Sequence, residues 1–191
     1  GVFNALKAAN IPAATIDTLV HGSTTATNAL VERSYPPAAM IATEGFRDVI
    51  EIGRQRRKDL FDLHQQRPEP IIPRRQRFTV PGRLGADGSE ITPLDETGIR
   101  ELACRLKSME IASIAICFLN AYSNPVHEKR ARDILHEEYP DCFVALSSET
   151  VPKLREHGRF MTTVVRAVLL PVMSSYYSRL NQGLLDDGFT G

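Results

Sequence analysis

The sequence has no surplus of charge of either sign: 23 lysines and arginines stand against 23 aspartates and glutamates. A balanced chain has no overall electrostatic pull toward nucleic acid or an anionic membrane surface, so neither is expected as a partner. Long apolar runs are missing as well. None approaches the roughly 18 residues that a spanning helix needs, and no secretory leader or lipidation signal is visible. Cysteine is scarce and odd in number, with Cys104, Cys117 and Cys142 scattered in apolar surroundings. That pattern excludes a disulfide frame or a zinc site and suits a reducing, cytoplasmic setting.

What is present is ordinary globular material. The 191 residues are 42% hydrophobic and 24% charged, which supplies one sizeable core or two small ones and excludes general disorder. The chain opens Gly1-Val2-Phe3, inside a helical stripe from Val2 to Ala9 with no N-cap before it, and ends on Gly188-Phe189-Thr190-Gly191. It reads as an excerpt of a longer protein.

Local pattern gives an alternation of strands and helices. Ile16 to His21 reads as a buried strand and Ala26 to Arg33 as a helix capped by Ser23-Thr24-Thr25. Ala38 to Ala42 follows as a strand and Phe46 to Ile52 as a helix. From Gly53 to Arg83 the period disappears. Basic residues dominate there, and Pro68, Pro70, Pro73 and Pro81 interrupt the chain, as in a long ordered loop or insertion. Arg77–Leu84 and Ser89–Ile91 are expected to form a hairpin around Ala86-Asp87-Gly88. Asp95 caps a helix to Met109 whose buried face is Ile99, Leu102, Ala103 and Leu106. Ile111–Leu119 and Phe143–Leu146 read as buried strands, with a helix from Val126 to Tyr139 between them. A last helix, Glu156 to Leu185, contains Pro171, where a kink or break is expected. The rhythm predicts an α/β domain with parallel pairing.

Three features carry candidate chemistry. His21-Gly22-Ser23-Thr24-Thr25-Ala26-Thr27-Asn28 lies between a predicted strand and helix, where free N–H groups and hydroxyls suit a phosphate or carboxylate. The plain alternative is a capping segment with a satisfied histidine. No Gly-Lys-Ser/Thr follows, so it is not a Walker loop. Arg54, Arg56, Arg57 and Lys58 suit an acidic group or a subunit contact, or else a solvated loop. Ser147-Ser148-Glu149, followed by Pro152, Arg155, Glu156 and His157, sits past a strand end where ligands commonly bind; the alternative is a polar connection. Cys117 reads as core, and His64, His127 and His136 read as surface residues without metal-ligand spacing.

Ordered strings carry a resemblance. His21-Gly-Ser-Thr-Thr-Ala-Thr-Asn-Ala-Leu-Val-Glu-Arg33 resembles the HGTT-x-ATNA-x-x-ER motif of the hydantoinase A family, which includes ATP-hydrolysing 5-oxoprolinases, N-methylhydantoinases and subunits of acetone and acetophenone carboxylases. Thr43–Gln55, Asp59–Leu63, Arg67–Pro70, Thr92–Asp95, Ala115–Leu119, Asn124–Glu128, Leu146–Glu149 and Arg159–Thr163 match in the same order. The resemblance implies a ribonuclease-H-like fold of the actin/hexokinase/Hsp70 ATPase kind, represented here by part of the N-terminal domain (1–191), with 53–92 as a loop and hairpin insertion. It also implies ATP and Mg²⁺ as cofactors and activation of a cyclic-amide carbonyl by phosphorylation. Expected partners are a hydantoinase B-like subunit or domain and a small cyclic amide, with exposed sheet edges expected to lead to self-association or to a rearranged edge. The alternatives are a subunit of a ketone carboxylase and a non-catalytic interaction domain. The family's Asp-x-Gly-Gly-Thr phosphate loop has no counterpart here, so these residues alone are expected to bind ATP poorly and not to turn over. The matched motif makes His21, Gly22, Ser23, Thr24, Thr25 and Asn28 the candidates to face nucleotide or substrate, and Arg54 and Arg57 weaker candidates for substrate or subunit contact.

Overall fold

The computed structural model describes residues 2–54, 61, 64 and 68–190. Six strands occur among them: β1 (Ala38–Thr43), β2 (Arg77–Val80), β3 (Arg83–Leu84), β4 (Glu90–Thr92), β5 (Ser113–Cys117) and β6 (Phe143–Leu146). The helices are α1 (Val2–Ala8), α2 (Thr25–Val31), α3 (Val49–Ile52), α4 (Glu96–Ser108), α5 (Val126–Glu138), α6 (Ser147–Thr150) and α7 (Glu156–Asp186).

Four strands form one parallel sheet in the order β2-β1-β5-β6. The two central strands read Ala-Ala-Met-Ile-Ala-Thr and Ser-Ile-Ala-Ile-Cys and are buried along their whole length. Their alternation divides the core. Ile41, Ile114 and Ile116 join the α4 and α5 side with Ile99, Leu106, Ile134 and Leu135. Ala38, Ala42, Ala115 and Ala145 join the α7 side with Phe160, Val164, Ala167 and Val168. Branched side chains fill the space under two helices, while alanines let one long helix lie close.

The parallel connections cross over on both faces of the sheet. The chain leaves β1 toward β2 across the α7 face, then returns through α4 and α5 on the other face to β5 and β6. Asp95 caps α4, its Oδ1 accepting from Gly98 N at 3.0 Å. The buried stripe of α4 is Ile99, Leu102, Ala103 and Leu106, as the helical period requires.

Several expectations are corrected. Ile16–His21 forms no strand: it bends at Asp17 and joins no ladder among the described residues. Arg77–Val80 is not one arm of the hairpin; it pairs parallel with β1, Met40 opposite Arg77 and Thr43 opposite Val80. The hairpin is the shorter β3–β4 pair, turned at Asp87-Gly88 with Gly88 at φ +85°. The helix expected from Phe46 is only Val49–Ile52. Pro171 does not break α7, which runs through it for 31 residues, about 46 Å at 1.5 Å per residue. Its first half packs on the sheet and its second half extends beyond, where α1 rests against Gly183. A β-carbon there would lie 2.5 Å from Phe3 Cζ. Cys104 is exposed, against the expectation of apolar surroundings, whereas Cys117 and Cys142 are buried. His127 is buried against Glu90 rather than on the surface, while His64 and His136 are exposed.

Candidate functional site

In an open parallel sheet, ligands sit beyond the carboxyl ends of neighbouring strands whose connections leave in opposite directions. Here those strands are β1 and β5. A hydrogen bond spans that crevice, Thr43 Oγ1 accepting from Leu119 N at 3.0 Å, while on the other side of β1 Glu44 N donates to Val80 O at 3.0 Å.

Next to it lies a buried polar knot. Glu128, on α5, has no solvent exposure. Its Oε1 accepts from Phe118 N at 2.9 Å and Ser147 Oγ at 2.6 Å, and its Oε2 accepts from Ser148 N at 2.8 Å. Arg159, near the start of α7, donates to Ser147 Oγ, Lys153 O and Phe118 O at 3.0–3.1 Å, and its guanidinium lies 5.3 Å from the ring centres of Tyr122 and Phe160. Burial raises the Glu128 carboxyl, and hydrogen bonds from Ser147, Phe118 and Ser148 pull it back down. Burial pushes the neighbouring Cys117 thiol well up, and the Glu128 charge adds to the effect. This Cys117 is an inert core thiol, as its sequence context predicts.

A second knot joins the 43–55 string to the start of β2. Arg77 is fully buried, and donates to Ile72 O at 2.9 Å and Glu51 Oε2 at 2.7 Å, with Asp48 Oδ1 at 3.5 Å. Arg74 grips both Asp48 oxygens at 3.1 Å and holds that carboxyl below its ordinary value. Glycine is needed where this string ends: Gly53 has φ +61°, and a side chain there would meet His157 Cε1 at 3.7 Å.

The His21–Asn28 segment stands apart from both knots, at the far end of α7. His21 Nε2 hydrogen-bonds Tyr176 Oη, and the two rings stack with centroids 6.0 Å apart. Ser23 Oγ and Thr25 Oγ1 bond each other at 2.6 Å, and Ser23 Oγ accepts from Thr25 N at 3.1 Å. Thr24 takes the N-cap place of α2 without a side-chain bond, Gly22 faces open space, and Thr24 and Asn28 are exposed. Arg54 is exposed at the end of the second knot; Arg56, Arg57 and Lys58 lie outside the described residues. The structure therefore keeps His21, Ser23 and Thr25 together and separates them from Arg54. Ser147, Ser148 and Glu149 are engaged internally, the last with Arg132 at 2.8 Å. Among the described residues no three histidine, cysteine or acidic groups gather as a metal site. The exposed hydroxyls and amides at 21–28 suit one oxygen-rich group.

Sequence reasoning missed both knots, although a signal existed. Glu128 falls on the stripe with Ala131 and Leu135, and Arg159 on the stripe with Thr163 and Ala167. A charge in a buried period demands a partner.

The model of the hydantoinase/oxoprolinase N-terminal region matches residues 1–139. The chain belongs to the hydantoinase/oxoprolinase family. An uncharacterized protein of Methanocaldococcus jannaschii is 40% identical over 194 residues, covering all of this chain and 28% of the relative. The caprolactamase subunit alpha of Pseudomonas jessenii is 35% identical over 86% of this chain and 24% of its own. The crystal structure of the ATP-dependent caprolactamase from that organism superimposes with a TM-score of 0.87 at 32% identity, over 98% of this chain and 28% of that one. The acetophenone carboxylase gamma subunit of Aromatoleum aromaticum is 34% identical over 81% of this chain and 23% of its own. The chain thus spans about a quarter of the length of these relatives. The family strings acquire a physical meaning: Ala115–Leu119, Asn124–Glu128, Leu146–Glu149 and Arg159–Thr163 all meet in the Glu128 knot.

Proposed function

We propose that these residues belong to an ATP-dependent cyclic-amide hydrolase of the hydantoinase/oxoprolinase kind, one that phosphorylates the ring carbonyl oxygen before ring opening. The observation that carries the reading is the likeness to the ATP-dependent caprolactamase over nearly the whole chain. An unactivated amide is a poor electrophile; moving a phosphoryl group to its oxygen creates a leaving group. Mg²⁺ accompanies the ATP, and a hydantoinase B-like subunit or domain completes hydrolysis. The ribonuclease-H-like ATPase architecture is assigned to the full-length protein, with residues 53–92 as an insertion in its N-terminal domain.

Within this chain, His21, Ser23, Thr24, Thr25 and Asn28 face substrate or nucleotide. The two knots position the chain without touching reactants, and Arg54 and Arg57 contact substrate or a neighbouring subunit. Alanine at His21, Ser23 or Thr25 in the full-length protein is expected to lower kcat/KM at least about tenfold, about 1.4 kcal/mol of lost transition-state stabilisation. Values within about twofold of the parent overturn the assignment. The likeness to the acetophenone carboxylase subunit favours a second reading, an ATP-dependent ketone carboxylase; products formed with bicarbonate and a ketone, against those formed from cyclic amides, separate the two.

A further inference from the structure

His21 is exposed, and an exposed imidazole is ordinarily free to turn among its rotamers. Here it is held. Its Nε2 is hydrogen-bonded to Tyr176 Oη, and the two rings stack with 27° between their planes. Tyr176 is itself steadied: it is half-buried, and it meets the Tyr177 ring edge-on with centroids 5.6 Å apart. It stands on α7, whose Phe160, Val164, Ala167 and Val168 pack on the sheet and whose helix continues unbroken past Pro171. The helix α2, which follows the Ser23–Thr25 turn, lies against α7 as well, with Ala29 buried and Leu30 packed beside the same core residues. The hydroxyl turn and the side chain that holds His21 therefore share one rigid support.

The contact also bears on chemistry. A neutral imidazole carries one ring proton, and the bond made by one nitrogen fixes what the other offers. A phenol hydroxyl donates as well as accepts. We propose that Tyr176 is a positioning residue for His21: its hydroxyl donates to Nε2, keeps the ring proton on Nδ1, and presents Nδ1–H to an oxygen of substrate or nucleotide beside Ser23 and Thr25. The inference rests on the functional reading for the ligand, and on the Tyr176 contact for the geometry. A donor already held in place loses no rotamer freedom when the ligand arrives, so more of its hydrogen bond reaches the transition state.

A double-mutant cycle of Tyr176→Phe and His21→Ala in the full-length protein tests this, read on whichever of 5-oxoproline, hydantoin or caprolactam it hydrolyses. Phenylalanine keeps the stacked ring and removes only the hydroxyl. Tyr176→Phe is expected to lower kcat at least about fivefold, with KM within about twofold and the thermal midpoint unchanged. In the His21→Ala background it is expected to lower nothing further. A tyrosine that only packs would depress both backgrounds alike; that result overturns the proposal, as does a Tyr176→Phe kcat within about twofold of the parent. A second readout involves no turnover. Without ATP or substrate, acylation of His21 by diethyl pyrocarbonate, mapped by peptide mass, is expected to run at least about fivefold faster in Tyr176→Phe, where Nε2 is released. Equal rates overturn the contact. Parent-like activity of His21→Ala would overturn the functional reading and the ligand assigned to Nδ1, while the labelling difference upheld the contact itself.

Discussion

Glu128 has both oxygens engaged and no exposure to water. Burial raises its carboxyl above the unfolded value of about 4.3. Between that value and the raised one, the folded state binds more protons than the unfolded state. Stability contributed by the group is therefore present at low pH and lost as pH rises through the window. A Glu128→Gln variant lacks this titration. The denaturation midpoint of the parent is expected to fall relative to that of Glu128→Gln as pH rises from about 4, measured by urea unfolding; parallel pH profiles contradict the assignment. The three thiols give a second residue-scale prediction. Cys104 is exposed, Cys117 is buried with its pKa driven well up, and Cys142 is pushed up to about 12 by burial. A thiol reagent at pH 8 is expected to modify one cysteine in the native protein and all three after denaturation; rapid native modification of Cys117 contradicts the packing.

At the scale of elements, α4 shows how far local pattern reaches. Its cap, length and buried face are all legible, because Asp95, the 3.6-residue period and Met109 are local signals. Asp95→Ala leaves Gly98 N without its acceptor and is expected to cost about 1 kcal/mol in chemical unfolding; no change in midpoint contradicts the cap. Strand partners are less legible. Arg77–Val80 and Ile16–His21 both have strand-like composition, yet one joins the parallel sheet and the other joins nothing among the described residues. Pairing is decided by neighbours distant in sequence, which composition does not encode. Pro171 shows the same override. The packing of Phe160–Val168 on the sheet, on the N-terminal side of the proline, holds α7 continuous despite the missing N–H.

For the whole molecule, the parallel α/β class follows from the strand–helix rhythm, and the family follows from ordered strings that the comparisons confirm. The role of those strings was less visible. Several build the Glu128 knot, which braces the carboxyl ends of β5 and β6, and the Arg77 knot at the start of β2, rather than an open site. Coupling between residues far apart in sequence is what hid them. The side chains proposed to face substrate or nucleotide are those of His21–Asn28, packed through His21 against Tyr176 on α7. The decisive measurement is ATP consumption by the full-length protein with its hydantoinase B-like partner and Mg²⁺, supplied with 5-oxoproline, hydantoin or caprolactam. ADP and ring-opened product appearing in equal amounts is the expected result. ATP use that requires a ketone and bicarbonate, or no ATP use with any ring, would contradict cyclic-amide hydrolysis.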